Sequence, residues 1–356
     1  MASWKHTEII IDGQPVKAQA PIIVSASRST DIPAFYADWF FDRLEKGYSA
    51  WTNPFNGVKS YVSYDQTRFI VFWSKNPRPL LPYLRILKER NIKCYIQYTL
   101  NDYEQEGLEK VPSLATRIET FKQLVEQLGK GAVIWRLDPM MLTDNISVDD
   151  LLRKVQYIGD QLKDDTEKLV FSYADIAMYR KVKHNLEVNG IPYHEWETDQ
   201  MEEFADKLST MNRERGWSYQ LATCGEKIDI SKYGIQHNRC IDGDLIARLA
   251  WDDKVLMDFM GVKVLPMPQP SLFDEGEATL PEGAIKLPNN QFFISRHKKD
   301  TGQRPFCECM ASKDIGEYNT CPHLCEYCYA NTTKQLALEN WKQHKNNPFS
   351  ETITGR

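Results

Sequence analysis

Short apolar runs alternate with amphipathic segments along most of the sequence, and this alternation constrains the fold more than any other feature. Residues 114–128 illustrate the amphipathic type, because apolar side chains recur there every three or four positions between an N-capping Ser113 and a closing Gly129. Polar residues follow the apolar runs directly, as at 74–77 and 136–138. Seven runs are of strand type: 21–25, 48–51, 68–73, 92–99, 132–139, 169–173 and 217–222.

This pattern predicts an α/β fold built of parallel βα units, and the number of runs favours a TIM-like (β/α) barrel, complete or partial. In such barrels the chemistry lies at the carboxyl ends of the strands. Strand order cannot be read from one sequence, so a doubly wound open sheet is the alternative.

The composition along the chain divides it into five segments. We expect an N-terminal lead-in or short hairpin over 1–20, the barrel over 21–260, an irregular Pro- and Gly-rich connection over 261–305, a Cys-rich segment over 306–335 and a C-terminal tail over 336–356.

The overall charge excludes a global basic field, since 44 Lys and Arg stand against 49 Asp and Glu for a net charge of −5. A basic run at 295–299, with Arg304 and Lys313 near it in sequence, could bind a phosphate-bearing substrate, although a solvated loop is the more ordinary interpretation. The N-terminus lacks a signal-peptide apolar region, and no run approaches the ~18 apolar residues of a membrane helix. We therefore expect a protein of the reducing cytoplasm with no membrane partner.

Cysteine spacing is the main functional signal. Seven of the eight cysteines lie between 224 and 328, and Cys321, Cys325 and Cys328 form a CxxxCxxC trio with Tyr327 before the last. Three thiolates can hold three irons of a [4Fe–4S] cluster and leave the fourth iron open to a substrate or cofactor. Zinc bound with the help of His323, or disulfides, are the alternatives.

Four further thiols can form a second site. Cys224, Cys240, Cys307 and Cys309 match the ligand number of a closed cluster, so we predict an auxiliary [4Fe–4S] cluster. A four-cysteine zinc site, or unligated thiols, would also fit. Cys94 lies inside a strand-type run and is interpreted as an apolar filler.

The CxxxCxxC trio resembles the cluster motif of radical S-adenosylmethionine enzymes, and the form CxxxCxYCYA is most similar to the branch that contains spore photoproduct lyase. The C-terminal position of the motif, with 303–309 and 314–318 before it, resembles a bacterial family known as domain of unknown function 1848. The resemblance implies a circularly rearranged barrel, because the first and last strands of a closed barrel are neighbours.

The resemblance also implies an activity. The trio cysteines would be the catalytic cluster ligands, at which S-adenosylmethionine yields a 5′-deoxyadenosyl radical with an electron from a reductant such as flavodoxin or ferredoxin. The substrate is unknown, and the branch points weakly to a nucleotide or nucleic acid. The alternative is a non-catalytic iron–sulfur or zinc protein that serves as an electron carrier, sensor or binding module.

Polar residues at strand ends are the candidates for binding the cofactor. Lys75 resembles a lysine of that branch, Arg136 and Asp138 resemble its Arg-x-Asp-Pro strand end, and Arg28 and Tyr327 complete the set. For each charged residue, a surface position or an internal ion pair explains its presence nearly as well. Gln97 and Glu226 are weaker candidates.

Overall fold

A computed structural model describes residues 4–53, 56–268, 280–296, 298–304 and 306–355. The strands are β1 (His6–Ile11), β2 (Gln14–Gln19), β3 (Ile23–Ala26), β4 (Tyr48–Thr52), β5 (Lys59–Ser63), β6 (Phe69–Ser74), β7 (Lys93–Thr99), β8 (Val133–Met140), β9 (Lys168–Tyr173), β10 (Gln220–Thr223), β11 (Gln236–His237), β12 (Val264–Pro266), β13 (Ala284–Leu287), β14 (Gln291–Ile294) and β15 (Lys313–Asp314). The α-helices are α1 (Ile32–Phe35), α2 (Ala37–Lys46), α3 (Leu84–Glu89), α4 (Leu114–Leu128), α5 (Val148–Leu162), α6 (Arg180–Val188), α7 (Thr198–Glu214), α8 (Gly243–Leu249), α9 (Lys254–Met260) and α10 (Lys334–Asn346). Short 3-10 helices span Arg78–Tyr83 and Ser231–Tyr233.

An eight-stranded parallel sheet in the order β11-β10-β9-β8-β7-β6-β3-β15 forms the centre of this mixed α/β fold. Strands such as β6 (FIVFWS) and β9 (KLVFSY) are largely apolar and buried, as expected for parallel strands that are covered on both faces. The end strands β11 and β15 do not pair with each other in the described part of the chain, so no closed barrel is found and closure stays a prediction.

Two buried clusters cover the two faces of the sheet. On one face, helices such as α4 and α5 pack against Phe72, Ile96 and Trp135. On the other, which we call the α8 face, α8 and α9 pack with β14 against Phe69 and Tyr95. Ser113 caps α4 through a hydrogen bond from the Thr116 nitrogen, as its position before the apolar repeat predicted.

The N-terminal lead-in forms a β1–β2 hairpin, one of the two forms expected for it. Three other predicted segments differ from the structure. The run at 48–51 forms β4 of the same small sheet, in the order β1-β2-β5-β4, instead of a central strand. The connection at 261–305 contains a three-stranded antiparallel sheet, β12-β14-β13, while 269–279, 297 and 305 lie outside the described residues. The tail is not peripheral, because Ala50 donates to the Glu351 carbonyl at 2.7 Å and Ile353 is buried.

Strand β15 brings the Cys-rich segment to the sheet beside β3. Asp314 pairs with Ser25 across the ladder, and its carboxylate accepts hydrogen bonds from Ser25 Oγ at 3.1 Å, Ser27 Oγ at 2.9 Å and the Arg28 nitrogen at 2.9 Å. Position 316, two residues after Asp314, leaves no room for a side chain, because a Cβ on Gly316 would lie 1.7 Å from Ser27 Oγ. The CxxxCxxC loop therefore follows a strand next to the first central strand of the chain.

Within the described residues, none of the helices combines the length and the apolar character that crossing a membrane requires.

Candidate functional site

The cysteine trio lies in a tight loop between β15 and α10. The loop reverses at Leu324, which has a positive φ of 50°, and the Cys328 nitrogen donates to the Cys325 carbonyl at 3.2 Å. Asn331 closes the loop, since its backbone nitrogen donates to Cys328 Sγ at 3.3 Å and its side chain to the Cys321 carbonyl at 2.8 Å. Burial raises the pKa of all three thiols, that of Cys321 to about 12.

His323 lies inside this loop, but both of its ring nitrogens are already engaged. Nε2 lies 2.8 Å from Asp31 Oδ2 and Nδ1 lies 2.9 Å from the Lys110 carbonyl. Since these two oxygen atoms engage both ring nitrogens, neither nitrogen is available to a metal in this arrangement. Asp31 also accepts from Ser74 Oγ and from the Lys75 nitrogen, each at 2.7 Å. His323 therefore attaches the loop to the sheet. A zinc ion bound by the three cysteines would have no fourth ligand within the motif.

A buried polar group lies beside the trio at the carboxyl ends of β6 and β7. Lys75 Nζ contacts Glu109 Oε1 at 2.8 Å and the Tyr327 hydroxyl at 3.1 Å. Asn101 Nδ2 donates to the same carboxylate at 2.9 Å and lies 3.2 Å from the same hydroxyl, which itself donates to Glu109. The predicted residues Lys75 and Tyr327 thus meet at one carboxylate, close to Cys325.

The charges of this group support one another. Burial alone would raise the pKa of Glu109, but Lys75 and Arg117 outweigh burial and lower it. Arg117 is fully buried, and its two terminal nitrogens have no hydrogen-bond partner, nor does Glu109 Oε2. Positive charge from Lys75 and Arg117 therefore lies near the trio, where it would offset the negative charge of cysteine thiolates.

The four remaining thiols converge on the α8 face. Cys224 Sγ lies 3.2 Å from Cys240 Sγ, longer than a disulfide of about 2.05 Å and shorter than the ~3.8 Å that separates two thiolates on one tetrahedral zinc with bonds of about 2.3 Å. Cys240 Sγ accepts from Asn238 Nδ2 at 3.2 Å and from Arg136 Nη1 at 3.3 Å, and Cys309 Sγ accepts from the Ile241 nitrogen at 3.4 Å.

Hydrogen bonding gives this second group thiolate character. Bonds from the Cys224 and Cys309 thiols lower the pKa of Cys240 well below its usual range, helped by the Arg136 charge and opposed by burial. The Cys309 thiol also lowers the pKa of Cys307 to about 6. The same bonds raise the pKa of Cys224 and Cys309, which act as donors. Thiolate is the form of cysteine that ligates metals.

Two predicted cofactor-binding arginines lie at the second thiol group instead of the trio. Arg136 donates to Gln97 Oε1 at 3.2 Å and pairs with Asp138, which also accepts from Ser172. The guanidinium carbons of Arg136 and Arg28 lie 5.2 and 5.5 Å from the centroid of the Trp73 ring. Arg28 Nη2 is buried without a partner.

Asp138 connects the surroundings of the two groups, since its backbone carbonyl accepts from Asn101 at 3.3 Å while its carboxylate binds Arg136. Glu226 follows β10, accepts from the Tyr173 nitrogen at 3.0 Å, and has a pKa raised to about 7, chiefly by burial. Sequence reasoning missed Glu109, for which no motif gives a signal.

Two cations of the predicted basic run at 295–299 and its neighbourhood, Lys299 and Arg304, already contact other side chains. Lys299 pairs with Glu308 at 3.0 Å, and Arg304 donates to the Tyr179 hydroxyl. His297, at the centre of the run, lies outside the described residues.

In the described part of the chain, no three His, Cys, Asp or Glu side chains already stand as ligands of one metal ion. Loading either thiol group would therefore rotate its side chains. No curated protein and no solved structure matches the chain. A family model described as "Domain of unknown function (DUF1848)" matches residues 23–330 and so includes both thiol groups.

Proposed function

The chain belongs to the DUF1848 family, whose description assigns no activity, and from its site we propose that it is a radical S-adenosylmethionine-type iron–sulfur enzyme. One observation carries the proposal: a single loop offers three cysteine thiols, while the histidine within it is fully hydrogen bonded elsewhere. Three protein ligands suit a [4Fe–4S] cluster with one open iron and do not complete a structural zinc site.

The residues around the trio fit such a group. The Asn331 nitrogen already donates to Cys328 Sγ, a kind of hydrogen bond that tunes cluster sulfurs. Lys75 brings positive charge to Cys325, where thiolates and a cluster would bring negative charge. Glu109 Oε2 and Asn331 Oδ1 are buried near the loop without hydrogen-bond partners, so both oxygens could accept hydrogen bonds from a bound cofactor.

The place of the loop in the fold supports the same function. It follows β15, beside β3, so that the unit of β15, the cysteine loop and α10 lies next to the strand that opens the central sheet. Lys75 and Asn101 follow β6 and β7, which puts the trio at the carboxyl ends of parallel strands, where α/β enzymes place their active sites.

The chain's own residues have separable tasks in this proposal. When bound, a cluster with S-adenosylmethionine supplies a 5′-deoxyadenosyl radical after one-electron reduction. Cys321, Cys325 and Cys328 would hold the cluster, and the Lys75–Tyr327 pair would fix the loop against the sheet. Asp138, partly exposed between the two thiol groups, is the cofactor-binding candidate with room to contact a ligand.

We assign the second thiol group to an auxiliary iron–sulfur cluster, with Cys224, Cys240, Cys307 and Cys309 as ligands. Backbone and side-chain donors surround the Cys240 and Cys309 sulfurs, and Arg28 and Arg136 offset thiolate charge. A closed zinc site with the same ligands is the alternative, and a non-catalytic metal protein is the second candidate function. The observation that favours both is the convergence of four thiols on the α8 face, with Cys240 and Cys309 buried and Cys224 and Cys307 partly buried.

Metal analysis of anaerobically purified protein tests the proposal. We expect about eight irons per chain with matching sulfide, and a reduced EPR spectrum that S-adenosylmethionine perturbs. Cys325→Ser should lose about half the iron and the response to S-adenosylmethionine, whereas Cys240→Ser should lose the other half and keep that response. Cys94→Ala, in buried β7, is the control and should change neither.

Zinc without sulfide would overturn the enzyme assignment. So would full iron content and an unchanged response to S-adenosylmethionine in Cys325→Ser. Zinc in the second group alone, lost in Cys240→Ser, would replace the auxiliary cluster with the closed zinc site and leave the trio assignment in place.

A further inference from the structure

Three exposed tyrosines gather at the carboxyl edge of the sheet, and we call Tyr179, Tyr318 and Tyr329 the edge tyrosines. Their exposed fractions are 37%, 51% and 45%. The ring centroids of Tyr179 and Tyr329 lie 6.3 Å apart, and the ring planes are tilted by 43°. Single exposed aromatic rings are common on protein surfaces, whereas several exposed rings close together favour a binding site, because grouped apolar surface in water is unfavourable.

Two cations stand among these rings. Arg304 donates to the Tyr179 hydroxyl, and Lys181 Nζ lies 5.9 Å from the centroid of the Tyr318 ring. Lys181 also contacts Thr332 Oγ1 at 3.3 Å. Neither cation forms an ion pair with any residue that the structure describes, so each retains donors for an anionic ligand.

The edge tyrosines lie where both thiol groups can be reached. Tyr329 directly follows Cys328, and its hydroxyl donates to the Arg28 carbonyl. Arg304 borders the second group, since a Cβ built on Gly225, next to Cys224, would lie 3.2 Å from Arg304 Nη2. A ligand held on these rings would therefore lie close to both the trio and the second thiol group.

We propose that the edge tyrosines, with Arg304 and Lys181, bind a nucleobase together with its phosphate, and that this is the substrate class of the proposed enzyme. A flat ring stacks on tyrosine faces, and the two cations take the phosphate. The net charge of −5 disfavours a long polyanion, so the ligand is a single nucleotide unit and not a duplex. The inference rests on the proposed function only for the role of this ligand as substrate.

Calorimetric titration of the metal-loaded full chain tests binding without turnover. The probes are thymidine 5′-monophosphate, thymidine, inorganic phosphate and a single-stranded hexathymidylate. We expect the monophosphate to bind more tightly than thymidine or phosphate. Tyr179→Ala and Tyr329→Ala should each weaken binding about 5- to 150-fold, the range for loss of one stacked base, whereas Tyr179→Phe keeps the ring and the affinity.

Tyr157→Ala is the matched control, because Tyr157 is 54% exposed on α5, outside this cluster. Arg304→Gln should weaken the binding of thymidine 5′-monophosphate and leave the binding of thymidine unchanged. If hexathymidylate binds more tightly than the monophosphate, the nucleotide unit belongs to a single-stranded nucleic acid. If the two bind equally, the ligand is a free nucleotide.

The proposal is wrong if no probe binds, or if Tyr179→Ala and Tyr329→Ala bind the monophosphate as the unchanged protein does. It is also wrong if these variants lose binding of an acidic flavodoxin instead, since the surface would then receive the reductant. Because binding is measured apart from cluster chemistry, a negative result leaves the radical assignment to the metal and EPR measurements.

Discussion

Asp31→Ala should release the cysteine loop from the sheet. The Asp31 carboxylate is buried and accepts four hydrogen bonds, from the Ala34 nitrogen at 3.0 Å, Ser74 Oγ and the Lys75 nitrogen at 2.7 Å, and His323 Nε2 at 2.8 Å. Removing one partner of a buried charged pair costs about 3–5 kcal/mol, and losing an N-cap costs about 1 kcal/mol. The expected loss in free energy of unfolding is about 4–6 kcal/mol, a large part of the ~5–15 kcal/mol that stabilises a typical domain.

Urea unfolding of anaerobic, metal-loaded protein measures this loss by tryptophan fluorescence, and the visible absorbance of the clusters reports iron in parallel. Asp253→Ala is the matched control, because Asp253 caps α9 with one hydrogen bond, from the Leu256 nitrogen at 3.0 Å, and its other charged contact is Arg68 Nε at 4.0 Å instead of a histidine. It should cost about 1 kcal/mol. Equal losses in the two variants would refute the role given to the Asp31–His323 pair, as would full retention of the trio iron in Asp31→Ala.

Three further predictions concern other parts of the fold. Gly316→Ala should prevent β15 from docking beside β3, because the new Cβ would lie 1.7 Å from Ser27 Oγ. Gly243→Ala is the control, since its Cβ would meet only the flexible side chain of Met310, at 3.2 Å. We expect soluble yield and iron content to fall in Gly316→Ala and not in Gly243→Ala. Desolvation lowers the pKa of His344, so the stability it contributes is complete above about pH 6.5 and is lost as the pH falls from there toward the folded-state pKa. His344→Asn keeps a donor to the Ile353 carbonyl but does not titrate, so the stability gap between this variant and the unchanged protein should narrow from pH 7.5 to pH 5.5, and a constant gap would contradict the assignment. Removing iron with a chelator should lower the urea midpoint, because metal that binds only the folded state stabilises it, and an unchanged midpoint would separate both thiol groups from folding.

Much of the central sheet could be predicted from the sequence, because strands covered on both faces leave continuous apolar runs such as those of β6 and β8. The run at 48–51 has the same character but pairs with β5, and composition cannot distinguish the two outcomes. The end strands β11 and β15 are two residues long and leave no pattern. Their places follow from side-chain contacts such as those of Asp314.

For the candidate site, spacing separated the two cysteine groups, but it could not show which charged residue serves which group. Lys75, which follows β6, lies at the trio, whereas Arg136, within β8, lies at the second group. The difference depends on register and on the loops packed against each strand end, which are long-range properties. His323 illustrates the same point, because its partner Asp31 is 292 positions away and the motif alone suggests a metal ligand.

These distant contacts have one physical consequence for assembly. Strand β3 has β6 on one side and β15 on the other, so the sheet from β3 to β11 can form while β3 still presents a free edge. The trio reaches the strand ends only when Asp314 and His323 bind partners near the N-terminus, 286 or more positions away in sequence. We expect pairing over such separations to form late, because the entropy of closing the chain must be overcome first. The second thiol group depends less on β15, since Cys224 and Cys240 flank the β10–β11 region and Cys309 meets the Ile241 nitrogen on the α8 face. The second thiol group is therefore positioned mainly by the sheet, and we expect the proposed catalytic loop to dock onto a sheet that has already formed.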